Sequence, residues 1–94
     1  MPLREVRAKI EMIDVQILNL IEKRTGLAKD VLDAKRAAKM PINDFDQNKM
    51  VLERAANSAT ERGLDGESVK RIFEILINMN IERQHEMSGE GNLP

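Results

Sequence analysis

The sequence predicts an all-α protein of three helices, with a very long first helix. Two observations support this class: helix-forming residues dominate the chain, and no segment shows the apolar–polar alternation of a strand. With 94 residues, the chain has room for one domain. We expect that domain to span residues 1–87, and we expect the glycine-containing residues 88–94 to form a flexible tail.

The first predicted helix covers residues 3–38. Apolar residues recur three and four positions apart along it, as on one face of a helix, and a proline follows shortly after its end. The stripe consists of Leu3, Val6, Ile10, Ile13, Ile17, Leu20, Leu27, Val31, Ala34 and Ala38, interrupted by Arg24.

The length of this helix predicts a dimer. About 36 residues extend roughly 54 Å, whereas a compact chain of this size has a radius of gyration of roughly 12 Å. Two shorter helices cannot cover so long an apolar stripe, so we expect a second copy to cover it in an intertwined homodimer. The alternative is a break near Thr25 and Gly26, with the chain folding back into a four-helix monomer.

Two more helices follow the loop that begins at Pro41. Asn43 or Asp44 is expected to cap the second helix, and Asp44 with Gln47 three residues later resembles a capping box; this helix ends at Gly63. Asp65 is expected to cap the third helix, which ends near Met87. The inward residues should be Val51, Leu52, Ala55, Ala56 and Ala59 on the second helix, and Val69, Ile72, Phe73, Leu76 and Ile77 on the third.

Composition argues against several functional classes. Aromatic residues make up 2% of the chain and the net charge is −1, so neither base stacking nor a basic field favours nucleic acid as a partner. With no cysteine and one histidine, we expect no metal site and no cofactor. No apolar run approaches the roughly 18 residues of a membrane span, and we expect a cytoplasmic protein.

Several polar residues occupy positions where the helical pattern places buried ones. Arg24 lies on the stripe of the first helix, Arg7 and Lys35 lie in the column beside it, and Asn80 and Gln84 continue the inward column of the third helix. Each alone has a structural explanation: it could fix the register of paired helices, interact with a helix dipole or form a polar edge of the buried face. Together they predict a cationic, hydrogen-bonding cavity suited to a small dicarboxylate.

In these residues, and in their order along the chain, the sequence resembles the all-helical chorismate mutases. The resemblance extends to about Met87. It is carried by residues 7–10, Ile13-Asp14, residues 21–24, residues 27–31, Ala34-Lys35, residues 41–44, residues 52–54, residues 63–65, Ile72-Phe73 and Gln84. The resemblance implies an intertwined homodimer that converts chorismate to prephenate, in the shikimate pathway of aromatic amino-acid biosynthesis, without a cofactor.

The resemblance also implies roles for individual residues. Arg24 matches the arginine that grips a substrate carboxylate, and Arg7 matches the one that reaches into the partner's site. Lys35 matches the lysine that contacts a carboxylate and the breaking ether oxygen, which Gln84 approaches from the other side. Lys35, Gln84 and Arg24 would then be catalytic.

The remaining implied contacts come from the second and third helices. Asp44 matches a site residue, and Asn80 a small polar neighbour of the ligand. Gln47 and Asn48 stand where the family usually has an arginine and a glutamate. The family glutamate accepts a hydrogen bond from the ring hydroxyl of the substrate. Asn48 is therefore expected to bind this hydroxyl through an uncharged hydrogen bond. This difference leaves open an isochorismate pyruvate lyase, and a non-catalytic helical dimerisation or regulatory module remains a third possibility.

Overall fold

The computed structural model describes residues 1–89, which form four helical segments. They are α1 (Leu3–Gly26), α2 (Ala28–Ala37), α3 (Phe45–Glu61) and α4 (Gly66–Ser88). No strand occurs within this described range. The all-α class is confirmed, and the three predicted helical arms correspond to α1 with α2, to α3 and to α4.

The first arm is interrupted at Leu27. The N–H of Leu27 donates to the carbonyl of Arg24 at 3.3 Å, a spacing of three residues instead of four. The same carbonyl accepts a hydrogen bond from Asn80 Nδ2 at 3.2 Å. A side chain that bonds into the carbonyl ladder of a helix is a recognised cause of kinks. The prediction of one uninterrupted helix over residues 3–38 is therefore wrong at this residue.

The break does not fold the arm back on itself. The longest dimension of the molecule is 54 Å, close to the roughly 52 Å that residues 3–37 would span as a continuous rod. No residue of α1 is buried. The alternative in which the chain folds back near Thr25 and Gly26 is accordingly wrong: α2 continues the direction of α1.

The core lies around α4, which contacts each of the other three segments. Small side chains allow these helices to approach closely, because the buried apolar residues are mostly alanines. They are Ala28, Leu32, Ala55, Ala59 and Ile77. Among residues 1–89, Gln84 is the single buried polar side chain, and it is 2% exposed.

Local hydrogen bonds begin and end the later helices as predicted. Asp44 accepts the N–H of Gln47 at 3.2 Å and begins α3, and Asp65 begins α4 in the same way. Gly63 takes a φ of +77° after α3, a conformation that favours glycine. At the other end, α4 reaches Ser88, one residue beyond the predicted domain boundary; positions 90–94 of the predicted tail lie outside the described residues.

Much apolar surface remains open in the single chain. On the α1 stripe, Ile10, Ile13, Ile17 and Leu20 are each about half exposed or more. Ile72 was predicted to point inward, but its side chain is 54% exposed because it lies outside the buried face of α4. No helix in the described part of the chain has the length and apolar content to cross a membrane.

Candidate active site

A cleft of about 510 Å³ lies where the end of α1, the length of α2, the start of α3 and the second half of α4 meet. Six of the seven predicted site residues line it: Arg24, Lys35, Asp44, Asn48, Asn80 and Gln84. The seventh, Arg7, is exposed on α1 and does not line the cleft of its own chain. The break at Leu27 lies at the cleft, since Leu27 is one of its lining residues.

Lys35 lines the cleft and connects α2 to two other parts of the fold. Its Nζ donates to the carbonyl of Ile42, in the loop after α2, and to Gln84 Oε1 at 3.2 Å. Burial lowers the pKa of the Lys35 ammonium, and the nearby Asp44 carboxylate partly opposes this shift. An ammonium has three hydrogens, so one N–H remains for a ligand.

Gln84 is held from both ends of its amide. Its Oε1 accepts from Lys35, and its Nε2 donates to Asn80 Oδ1 at 2.6 Å. Because Nε2 carries two hydrogens, the second can still donate into the cleft. Almost complete burial prevents water from competing for these bonds.

Arg24 joins α1 to α4. Its Nη1 donates to the carbonyl of Leu76 on α4 at 3.0 Å, while its own carbonyl accepts from Asn80. The guanidinium is half-buried, and burial together with the neighbouring Arg54 guanidinium lowers the pKa of Arg24. An anion in the cleft would oppose both effects, because a nearby negative charge favours the charged guanidinium.

The wall formed by α3 presents amides. Asn48 Nδ2 donates to Asn43 Oδ1 at 2.9 Å, which leaves the Asn48 carbonyl oxygen available as an acceptor. Gln47 lines the cleft one residue before it. Asp44 has a structural function as well as its place in the cleft, because its carboxylate caps α3.

Sequence reasoning missed Arg54 as a cleft residue. It lies on α3, seven residues after Gln47, and this spacing of two helical turns places both on one face of the helix. That spacing was visible in the sequence and could have identified it. Arg54 is exposed, and its charge acts on Arg24 across the cleft.

The chemistry of the cleft is that of a binding site for a dianion. Arg24, Lys35 and Arg54 supply three cations, whereas Asp44 is the single carboxylate among the lining residues. Leu27, Val31 and Ile81 contribute apolar wall on which a small carbon ring could rest. The lining includes no histidine or cysteine, and no group of acidic or histidine residues within residues 1–89 is arranged to hold a metal.

Comparison with known proteins places the chain in a family. The family described as chorismate mutase type II matches residues 6–85. A chorismate mutase of Methanocaldococcus jannaschii is 41% identical over 78 residues, which cover 83% of this chain and 79% of that protein.

Longer relatives match with one part of their length. The bifunctional chorismate mutase/prephenate dehydratase of Escherichia coli K12 is 30% identical over 86 residues, 92% of this chain but 22% of that protein. The protein of the same description from Buchnera aphidicola is 27% identical over 81 residues, 86% of this chain and 21% of that protein. Because the family match covers most of the chain, the chain belongs to the chorismate mutase type II family, whose activity is that of an isomerase.

Proposed function

We propose that the cleft binds chorismate as a dianion and converts it to prephenate, with Lys35, Gln84 and Arg24 as the catalytic residues. One observation carries this assignment: hydrogen-bond donors from α1, α2 and α4 converge on one cleft that has an excess of positive charge. The family match and the name of the M. jannaschii relative support the substrate. This reaction would supply prephenate for aromatic amino-acid biosynthesis.

The reaction requires positioning and electrostatics. Within one molecule a C–C bond forms while the ether C–O bond breaks, and no proton is transferred. The site must therefore hold the substrate folded, with the reacting carbons in contact, and stabilise negative charge that develops on the ether oxygen. Arg24 would hold a carboxylate, which fixes the folded conformer.

Lys35 and Gln84 would stabilise the developing charge. Each has one N–H that remains after its bonds within the protein. Their mutual bond at 3.2 Å holds the two donors side by side before the substrate arrives. Such donors need little rearrangement during the reaction, which is the main source of their catalytic effect.

We infer that the active form is a homodimer. The support is the exposed stripe on α1, where Ile17 and Leu20 are 49% and 63% exposed, and the absence of any buried residue in that helix. A second copy would cover the stripe and could bring Arg7 to the partner's cleft as a further carboxylate ligand. A cytoplasmic location is also proposed, in keeping with a chain that has no cysteine.

The replacement of the family's Arg–Glu pair by Gln47 and Asn48 supports a second candidate. Both amides line the cleft. A lyase that releases pyruvate from isochorismate would bind its dianionic substrate with the same cations. Product analysis separates the two: prephenate from chorismate supports the mutase, and pyruvate from isochorismate supports the lyase. No turnover of either substrate by a folded dimer would instead favour a dimerisation or regulatory module.

The experiment that tests the site assignment is turnover of chorismate by Arg24→Ala and Lys35→Ala. Each should lower kcat/KM by two or more orders of magnitude. Lys35→Ala loses a donor to a developing oxyanion, which costs about 2.7–4 kcal/mol, and Arg24→Ala loses the carboxylate contact that fixes the folded conformer. Lys29→Ala is the matched control, since Lys29 is exposed and pairs only with Asp33 outside the cleft. Near-normal rates in folded Arg24→Ala or Lys35→Ala protein would refute the assignment.

A further inference from the structure

Asn80 connects two parts of the cleft through its side-chain amide. Its Nδ2 donates to the main-chain carbonyl of Arg24 at 3.2 Å, and its Oδ1 accepts from Gln84 Nε2 at 2.6 Å. Asn80 and Gln84 are four residues apart on α4, so they lie on the same face one turn apart. Protein atoms therefore engage both polar ends of Asn80.

These hydrogen bonds allow only one orientation of each side-chain amide. A carbonyl can only accept, so the Arg24 carbonyl holds the NH₂ end of Asn80 and turns Oδ1 toward Gln84. That oxygen also can only accept, so Gln84 must present Nε2 to it and Oε1 to Lys35. If the Gln84 amide were reversed, its oxygen would face Asn80 Oδ1 and its NH₂ group would face the Lys35 ammonium. Neither hydrogen bond could then form. Arg24, Asn80, Gln84 and Lys35 thus form a directed chain across the cleft.

We propose that Asn80 is a positioning residue that orients the Gln84 amide, so that one Nε2 hydrogen points to the ether oxygen of the substrate. This inference rests on the proposed function, in which Gln84 donates to that oxygen. It differs from the role that the resemblance implies, in which Asn80 is a neighbour of the ligand. Acting through Gln84, Asn80 should affect kcat more than KM.

A double-mutant cycle with Gln84 tests this directly. Asn80→Ala should lower kcat about fivefold and change KM less than about twofold, because the neutral hydrogen bond that orients Gln84 is lost away from the substrate. In the Gln84→Ala background, the same substitution should lower kcat less than about twofold, since the group it positions is gone. Equal losses in both backgrounds would overturn the proposal. Asn78→Ala, at an exposed position of the same helix, is the control.

A pH profile tests the proposal even if Asn80→Ala is partly unfolded. In Gln84→Glu, only the protonated carboxyl can donate to the ether oxygen, so kcat should fall as pH rises through its pKa. The single O–H of this carboxyl cannot donate to the ether oxygen and to Asn80 at once, but Asn80 Oδ1 still raises the pKa because its partial negative charge lies against the carboxylate. Adding Asn80→Ala should shift the kcat profile of Gln84→Glu to lower pH. An unshifted profile would contradict the proposal.

One measurement does not depend on turnover. In the wild-type protein, the side-chain amide protons of Gln84 should exchange slowly with water in an NMR experiment, and Asn80→Ala should accelerate that exchange. Formation of prephenate by the wild type is measured separately. If no prephenate forms, the proposed function fails while the exchange rates still decide the orientation. If prephenate forms but exchange is unchanged in Asn80→Ala, only the inference about Asn80 fails.

Discussion

In the proposed function, single side chains in the cleft have two tasks, one within the protein and one toward the substrate. Lys35 supports the loop after α2 through Ile42 and orients Gln84, and it keeps one N–H for a ligand. Arg24 connects α1 to α4 while presenting its charge to the cleft. Because one side chain performs both tasks, a substitution here can change the fold as well as the rate. The fold of each variant should therefore be measured together with its rate.

The first prediction at this scale concerns the pH dependence set by Lys35. Burial lowers its pKa from the ordinary value of 10.5, and the ammonium is present only below that lowered pKa. The rate constant kcat/KM should therefore be constant between about pH 5 and 8 and fall at alkaline pH, starting below the pH at which an ordinary lysine loses its proton. A bound dianion favours the ammonium, so kcat should persist to higher pH than kcat/KM.

Lys35→Arg provides the control, since a guanidinium does not titrate in this range. Its residual activity should lack the alkaline fall. The contribution of Lys35 to stability has the opposite sign. The folded-state pKa lies below the unfolded one, so this contribution increases as pH rises between the two values. A fall in kcat/KM between pH 5 and 8, or one retained in Lys35→Arg, would assign the titration to another group.

The second residue-scale prediction concerns Asn48. Asn48→Glu should raise kcat/KM for chorismate about fivefold, because a charge-assisted hydrogen bond to the ring hydroxyl replaces a neutral one. Asn43 now accepts from Asn48, and it can reverse its amide and donate to the new carboxylate instead. Asn48→Gln has the side-chain length of glutamate without its charge, and it should give no gain in kcat/KM. A folded Asn48→Glu protein with lower activity would mean that the ring hydroxyl is bound elsewhere or that chorismate is not the substrate.

At the scale of elements, the helix ends position the cleft. The loop after α2 carries the carbonyl of Ile42 to Lys35, and it turns at Lys39, whose φ is +56°. Met40 N–H then donates to the Lys35 carbonyl at 2.8 Å, which ties the turn to Lys35. A residue with a side chain is strained in this left-handed conformation.

Lys39→Gly should therefore stabilise the protein by roughly 0.5–1 kcal/mol, the strain relieved less the extra flexibility of glycine in the unfolded chain. Lys39→Ala keeps a Cβ and should give no such gain. Urea denaturation of the three proteins measures both effects. A matching gain in Lys39→Ala would show that the lysine side chain, not the backbone conformation, is the source of the strain.

At the scale of the whole molecule, a single chain does not bury the apolar face of α1, its longest helix. Residues of the α1 stripe that should be buried are exposed, while α4 collects the buried contacts of the other segments. In the proposed homodimer, folding would be coupled to association, because the partner would supply the missing half of the packing.

We therefore expect a dimer in sedimentation at micromolar concentration. Ile17→Asp or Leu20→Asp should dissociate and unfold the protein together. Val15→Asp is the matched control: Val15 is also about half exposed, but it lies on the opposite side of the helix from the stripe. A wild-type monomer, or a folded monomer in Ile17→Asp, would contradict the homodimer.

The amino-acid sequence alone determined the helices, their capped ends and four of the residues that line the cleft, Arg24, Lys35, Asn80 and Gln84, whereas Asp44 and Asn48 were expected there only from the resemblance. These features depend on interactions within about one or two helical turns: Asp44 caps its own helix, and helical periodicity places Asn80 and Gln84 on one face. The resemblance supplied the chemistry expected of them, and the comparisons confirm the family.

Tertiary structure alone decided the rest. The interruption at Leu27 involves a hydrogen bond from Asn80 to Arg24, whose positions are 56 residues apart, and nothing in the local sequence predicts that bond. The directed chain from Arg24 to Lys35, the near-complete burial of Gln84 and the effect of Arg54 on Arg24 likewise arise only when helices meet. Periodicity shows which residues share a face, but only packing decides which faces meet and which hydrogen bonds form between them.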